Sequence, residues 1–544
     1  MDVLAIHPSD NAIVATQHLT KGRRVIVGGR AVNLTQNIPA KHKFAARALA
    51  AGDSITMYGV TVGRAIEPIA EGARLTTGNV KHAAGAYRVR NAPYVWEPPS
   101  VTCWQDRTFL GYHRSDGQVG TANHWLVIPL VFCENRNVKM LRDAFECELG
   151  YAPKSAYRQQ VADLVLRLRS GEDLTVQSEL PPDVADVARV FKRVDGIRFL
   201  THEGGCGCTR QDARGLCGLF AGYLHHPNVA GATVLSLGCE NAQMIILQEE
   251  IHQRNPDFDK PVLFYEQQRW RSVHTLLSDA VERTFRALVE ANRLRREPSP
   301  LNRLTIGLEC GGSDGFSGLS ANPAMGHASD LLVALGGRAI LAEFPELCGV
   351  EQALIDRCVT KRTAARFADL MGAYASAAER SGSGFDMNPS PGNIRDGLLT
   401  DAMKSAGAAR KGGTSPITAV LDYPEYAVTP GLNLLCTPGS DVESTTALAG
   451  AGAQVILFST GMGTPTGNPA AQVVKISSNT SLKERLPDLI DVDAGGMISG
   501  IETMEDVGAR ILETIVQVAS GRYVTQASRL RQYDFIPWKR GVSL

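Results

Sequence analysis

The sequence predicts an α/β protein with largely parallel sheets, preceded by a small β-rich module. Three observations carry this. First, five apolar runs end in a cysteine: Trp125–Phe132 before Cys133, Ile197–Thr201 before HEGGCGC (His202–Cys208), Thr233–Leu237 before Gly238-Cys239-Glu240, Leu304–Leu308 before Glu309-Cys310, and Leu432–Leu435 before Cys436. Second, most of these runs are followed by helix-like sequence, the alternation that builds parallel sheets. Third, residues 1–88 lack that alternation and read as short strands separated by turn residues. Ligands of open α/β sheets sit at the carboxyl ends of the strands, so the thiols are expected on one side of one layer. Thiols gathered in that way point to a soft-metal site.

Taken in order, the opening module has strands at Ala12–Ala15, Arg24–Val27, Ser54–Tyr58 and Thr61–Ala65, with a helical turn over Phe44–Leu49. Its polar residues gather at turns: His7, Asp10 and Asn11 in HPSDN, then His42 and Lys43. Residues 89–107 hold prolines and aromatics without periodicity and read as a linker. An α/β domain is expected over residues 108–296, with helices Arg136–Leu149, Ser155–Arg169, Pro181–Val194, Ala213–His225, Asn241–His252 and Val273–Arg296, and a strand at Val262–Tyr265. A second, over residues 297–544, opens with LECGGSDGFSGLSANP (Leu308–Pro323). There a strand breaks into glycines and small polar residues, a loop that lets backbone approach a ligand. Helices Gly326–Leu335, Val350–Ser376 and Val507–Ser520 follow, with a strand at Arg338–Glu343. The Gly/Ser/Pro-rich stretch Ser381–Asn393 and the Lys411–Ser415 turn are loops expected to border a site.

Bulk properties narrow the function. At 544 residues the chain outgrows one core, and about two to four domains are expected. Lys+Arg and Asp+Glu balance at 56 each, so no net charge draws it to nucleic acid or an anionic membrane. No apolar run reaches the ~18–20 residues of a membrane span, and no basic-then-apolar leader opens the sequence. Eleven cysteines, an odd number placed at strand ends, fit a reducing, cytoplasmic setting.

Nine motifs, in this order, carry a resemblance: IHPSDNAIVA, IPAKHKFA, MYGVTVGRA, FLGYHRSDGQVGT, HHPNVAGATVLSLGCEN, GLECGGSDGFSGLSANP, NPSPGN, KGGTSP and STGMGTPTG. The chain resembles the altronate and galactarate dehydratase family over nearly its whole length, and altronate dehydratase more closely around Gly307–Val350. The resemblance implies an N-terminal SAF-type domain, α/β catalytic domains, a homo-oligomer, and iron-dependent dehydration of a sugar acid to a 2-keto-3-deoxy acid. Several polar positions depart from the family pattern: Ala122, Gly204, Ile394, Met403, Met462 and Thr466 stand where charged or phenolic groups are usual. A different hydroxy acid is therefore the alternative, galactarate-like or sulfonated and cleaved by β-elimination. A family-derived binding protein without catalysis is a further one.

Dehydrating a 2,3-dihydroxy acid needs a base for the C2 proton, donors for the enolate-like carboxylate, and an acid on the departing C3 oxygen. Cys133, Cys206, Cys239 and Cys310 match family cysteines and are expected to hold iron, as a [4Fe–4S] cluster with one open position. A mononuclear Fe(II) or Mn(II) site using His202, Glu240 or Asp314 is the other form. His42 is the first candidate for the base, with Lys43 beside it to lower its pKa, and His202 the second. The module carrying His42 would then act as a lid, shaped by His7, Asp10 and Asn11. Candidates to bind hydroxyls or carboxylate are Ser313, Asp314, Ser317, Asn322, Asn388, Ser390, Asn393 and Lys411.

Overall fold

The computed structural model describes residues 2–90, 94–152, 156–175 and 188–544. Short antiparallel strands build the N-terminal module: Val3–Leu4, Ala12–Ala15 and Lys43–Ala45 form one sheet, Ser54–Met57, Val60–Ala65 and Val80–Lys81 another, and Arg24–Val27 pairs with Arg30–Asn33. The helical turn expected over Phe44–Leu49 is instead the Lys43–Ala45 strand followed by a bridge from Leu49 to Ile69. Phe44 is fully buried there, so packing against the neighbouring strands overrides local propensity.

Two parallel sheets follow. The smaller has four strands in the order Gly196–Phe199, His124–Pro129, Val229–Ser236, Val262–Glu266. The larger has seven, in the order Ile417–Leu421, Gly431–Leu435, Arg338–Leu341, Thr305–Cys310, Val455–Thr460, Gln472–Ser477, Val492–Asp493. Every pairing in both is parallel. Helices cover both faces, so Val229–Ser236, Thr305–Cys310 and Val455–Thr460 are buried throughout and read in the sequence as unbroken apolar runs.

The cysteine-ended runs thus belong to two layers, not one: those before Cys133, Cys206 and Cys239 to the small sheet, those before Cys310 and Cys436 to the large one. Thr305–Cys310 is the central strand of seven. The chain leaves it for Arg338–Leu341 on one side and returns as Val455–Thr460 on the other, which makes its carboxyl end a topological switch point. Helices Arg210–His225 and Asp441–Gly450 join the two layers, and one apolar core holds Leu126, Leu219 and Phe220 together with Leu448, Ile456 and Phe458.

Some helix boundaries differ from expectation. Val273–Ala291 ends before Arg296, which starts an edge strand, Arg296–Pro300, paired with Thr108–His113. The long helix expected over Val350–Ser376 is two, Glu351–Asp356 and Lys361–Arg380, the second capped by the Thr360 hydroxyl. Of the helix expected at Pro181–Val194, residues 181–187 lie outside the described residues, and Ala188–Val194 is not helical. Ser155, the expected start of another helix, also lies outside them. No described helix is long and apolar enough to cross a membrane.

Candidate active site

The first cluster lies at the small sheet. Cys133 sits in the short turn Phe132–Glu134, Cys206 in the loop after Gly196–Phe199, and Cys239 just after Val229–Ser236. These are adjacent strands, so their three carboxyl ends converge. All three cysteines are exposed, whereas Cys208 and Cys217 nearby are buried. Burial raises the Cys133 thiol pKa, and charge on Cys206 and Cys239 raises it further, so the three share one neighbourhood.

The loops around them are tied together. Phe132 N donates to Gly204 O at 3.0 Å, Ala242 N to Gly205 O at 3.1 Å, and Asn241 Nδ2 to Cys206 O at 2.8 Å. Gly205 has φ +96°, and a Cβ there would fall 2.1 Å from Leu130 O, so the turn that presents Cys206 accepts only glycine.

His202 and Glu240 serve this scaffold. Gly204 N donates to His202 Nδ1 at 2.9 Å, which leaves the proton on Nε2, 2.7 Å from Pro129 O. Burial pushes the His202 pKa down to about 4, so it is neutral with neither nitrogen free. Glu240 accepts from Gly238 N at 2.7 Å and from the Ser236 hydroxyl. Both carboxylate oxygens are thus spent on holding the Cys239 turn.

A cavity of about 730 Å³ adjoins the loops, lined by His202, Glu203, Cys208, Glu443, the Lys139 and Lys539 ammoniums, and the Phe535–Trp538 stretch of the tail. Asp212 lines it too, so its two lysines stand among three carboxylates.

The second cluster surrounds Cys310 at the switch point. Cys310 is not joined to the thiol trio. Its sulfur is 2.8 Å from Lys411 Nζ and 3.2 Å from Glu346 Oε2, and its N–H donates to Glu343 Oε2 at 3.0 Å. Burial and then the Glu343 and Glu346 charges hold its pKa well above the usual thiol value. Lys411 also pairs with Glu343, and Lys404 with Glu346 at 2.6 Å. Burial lifts the Glu343 pKa to about 7, while Lys404 and Lys411 hold Glu346 low against the same push.

Glu309, Asp441 and Lys475 complete the group, all buried or nearly so. Burial raises Asp441 to about 6 and lowers Lys475 to about 7; Lys475 Nζ has no hydrogen-bond partner among the described residues and lies over the Phe458 ring. Glu343, Glu346, Lys404, Asp441 and Lys475 escaped the sequence reading, because each sits within or beside an apolar run with no motif of its own. Asp441 and Glu443 tie the two clusters together. They stand two apart at the start of helix Asp441–Gly450, so one faces Gly311 beside Cys310 and the other the cavity.

The N-terminal module closes over the second cluster. Lys41, in the left-handed region at φ 72°, sends Nζ to within 3.0 Å of Asp314 Oδ2. Its carbonyl presses on Gly315 and Gly397, where a Cβ would come within 2.5 and 2.4 Å. His42 Nε2 lies 3.1 Å from Arg395 O, and Arg74 Nη2 2.9 Å from Nδ1. A guanidinium cannot accept, so Nδ1 holds the lone pair and His42 is neutral. Burial, then Arg74, draws its pKa to about 4, with Lys43 a lesser cause. Lys43 is itself fully buried, donates to Gly397 O at 2.7 Å, and is lowered to about 7.

The remaining predicted residues are mostly scaffold. Asp314 accepts from the hydroxyls of Ser317 and Ser478 and from Asn479 Nδ2. Asn393 caps with Ser390 and donates to Ser313 O, Asn322 bridges Gly407 O and the Ser459 hydroxyl, and Asn388 Oδ1 accepts from Lys404. Asp10 and Asn11 brace the Ser54–Met57 hairpin inside the module, and His7 is exposed and bonded to Ser9.

This arrangement of module and sheets has known counterparts. Residues 1–83 match the altronate/galactarate dehydratase SAF domain, 111–292 the D-galactarate dehydratase/altronate hydrolase second domain, and 301–543 the D-galactarate/altronate dehydratase C-terminal domain. Altronate dehydratase of Escherichia coli (strain K12) is 32% identical over the whole of both chains. The chain belongs to the altronate/galactarate dehydratase family. The dehydratases of this family are carbon–oxygen lyases of the hydro-lyase type, and further relatives match as well. Galactarate dehydratase (L-threo-forming) of Escherichia coli (strain K12) is 30% identical over 96% of this chain and 93% of its own. The (2R)-sulfolactate sulfo-lyase subunit beta of Chromohalobacter salexigens is 27% identical over 79% of this chain and 97% of its own.

Proposed function

We propose that this family member is an iron-dependent hydro-lyase that converts a 2,3-dihydroxy sugar acid of the altronate type to a 2-keto-3-deoxy acid. The observation that carries the reading is the convergence of three exposed thiols, Cys133, Cys206 and Cys239, on adjacent parallel strand ends beside the 730 Å³ cavity. The donor set fits iron. The charged groups that act on Cys133 are Cys206, Cys239 and Glu134, with no cation among them, and the three sulfurs are not gathered within 4.8 Å of one another, a spacing that suits the separate irons of a cluster rather than one ion. Iron held by three thiolates with a position open supplies a Lewis acid for the departing hydroxyl.

The chain's own groups divide the remaining work. Lys139 and Lys539 are the cations of the cavity lining that a substrate carboxylate would meet. His42 is neutral with its lone pair on Nδ1 toward Arg74, but it faces the large-sheet domain and does not line this cavity, so it is the proton acceptor only for a substrate that extends to the switch point. Gly238 and Gly205 allow the sharp turns that present Cys239 and Cys206.

A second substrate reading rests on buried Met403 and Thr466 and on Met462, whose Cβ approaches Gly312. They supply no charge for a second polar arm, which favours a shorter hydroxy acid over altronate itself. Protein purified without oxygen is expected to carry iron and to form 2-keto product from one member of a sugar-acid and sulfonated-acid panel. Cys133→Ser, Cys206→Ser and Cys239→Ser should each lose the iron, and Cys310→Ser should keep it. Iron retained in two of the first three would refute the assignment.

A further inference from the structure

A third constellation lies where the N-terminal module meets the large-sheet domain. His82 follows the strand Val80–Lys81, Cys348 follows the turn Phe344–Leu347, and Asp401 opens helix Asp401–Ala408. One donor atom from each lies within 4.8 Å of the other two. His82 and Cys348 are half-buried, so an ion can reach them, and Asp401 is fully buried. One other described set meets the same distance condition, Cys310 with Glu343 and Glu346.

The two sets differ in what already neutralises them. Around Cys310 the cation positions are filled, by Lys411 Nζ at 2.8 Å from the sulfur and Lys404 Nζ at 2.6 Å from Glu346. Around His82 no ammonium or guanidinium pairs with a donor among the described residues. The Asp401 carboxyl has the Cys348 thiol as a hydrogen-bond neighbour and its Oδ1 3.5 Å from the Ser405 hydroxyl, while its Oδ2 atom is buried without a hydrogen-bond partner among the described residues. A buried carboxylate oxygen left unpaired is costly unless the carboxyl is protonated or something outside the chain completes it, and burial does raise the Asp401 pKa to about 8. A second carboxylate, Asp386, is near enough for its charge to act on both His82 and Cys348.

We propose that His82, Cys348 and Asp401 bind a divalent transition-metal ion of the Zn²⁺ class that clamps the N-terminal module to the large-sheet domain. The donors are one imidazole nitrogen, one thiolate and one carboxylate oxygen, the mixture that Zn²⁺ and its neighbours accept, with Asp386 or water for the fourth position. The ligands come from both partners of one joint. His82 belongs to the module, Cys348 and Asp401 to the domain beneath it, and the Thr400 hydroxyl bonds Val62 O of the module at 2.5 Å alongside. The site is separate from the three thiols of the small sheet, so its failure and theirs are distinguishable.

The test uses the full chain, stripped of metal by a chelator under reducing, oxygen-free conditions and titrated with Co²⁺. Wild type should show a thiolate-to-cobalt charge-transfer band that survives in Cys133→Ser. His82→Gln and Cys348→Ser should each lose one bound Co²⁺ per chain and the matching part of that band. With the ion removed, cleavage of residues 1–83 from the rest by a protease should speed up at least several-fold, and Zn²⁺ should restore resistance. The same Co²⁺ uptake in wild type, His82→Gln and Cys348→Ser would overturn the proposal and leave a hydrogen-bonded thiol–carboxylate pair only. So would a wild type whose band disappears entirely in Cys133→Ser.

Discussion

His202 illustrates what a buried neutral imidazole does for the candidate site. It accepts from Gly204 N and donates to Pro129 O, fixing the loop from which Cys206 projects. Charging it would turn the acceptor nitrogen into a donor facing an N–H. Its pKa is accordingly about 4 in the folded chain against 6.5 for a free imidazole. Between those values the unfolded chain takes up a proton that the folded chain refuses. The contribution of His202 to stability is therefore complete above pH 6.5 and is lost as pH falls toward 4. Glutamine can keep one donor and one acceptor without titrating. The stability difference between wild type and His202→Gln, read from denaturant midpoints, should thus shift against wild type by on the order of 2–3 kcal/mol between pH 7 and pH 4. A difference that does not change with pH would show that His202 is charged or solvated in the native state.

At the scale of elements, the joint between the two α/β layers depends on small residues. Helices Arg210–His225 and Asp441–Gly450 cross so closely that a Cβ on Gly222 would sit 2.1 Å from Gly450 O. That atom is backbone and cannot swing aside, so Gly222→Ala must push the helices apart. A cost of about 1–3 kcal/mol is expected, together with a shift in the Glu443 wall of the cavity. Thermal melting checks the first and substrate KM the second; an unchanged melting temperature would mean that the helices slide freely. Gly222 carried no signal in the sequence, since a glycine inside a helical run names no partner. The strands themselves were legible, because a strand buried on both faces leaves an unbroken apolar run, as in Thr305–Cys310. Which sheet each run joined was not legible. Periodicity fixes an element's type but not its neighbour, and so Cys310 was grouped with Cys133, Cys206 and Cys239. Phe44 and the Arg296 strand were misassigned for the same reason: distant pairing decided them.

At the scale of the whole molecule, the N-terminal module rests on loops beside the switch point of the large sheet. Lys41 to Asp314 at 3.0 Å, His42 to Arg395 O at 3.1 Å and Lys43 to Gly397 O at 2.7 Å form one row of contacts along the turn that precedes and enters strand Lys43–Ala45. The cost of burying Lys43 shows in its pKa of about 7, and strain shows in the left-handed Lys41. A joint built only to hold would use apolar contacts, which lack those penalties. One built to release can use groups that gain solvation on opening. Two roles then compete for His42, a pin of the closed lid or the acceptor of the substrate's C2 proton. Glutamine separates them, because its amide can replace both hydrogen bonds but cannot take a proton. As acceptor, His42→Ala and His42→Gln should both lower turnover by roughly 10²–10⁴-fold. Solvent exchange of the C2 proton should fall in step, with iron content unchanged because the thiols lie on the other sheet. As pin alone, His42→Gln should restore turnover to near wild type while His42→Ala loosens residues 1–83 to protease. The neutral state and the lone pair on Nδ1 favour the first outcome. Near-normal exchange in His42→Gln would dismiss the lid as catalyst and move proton transfer to the carboxylates of the cavity, Glu203 and Glu443.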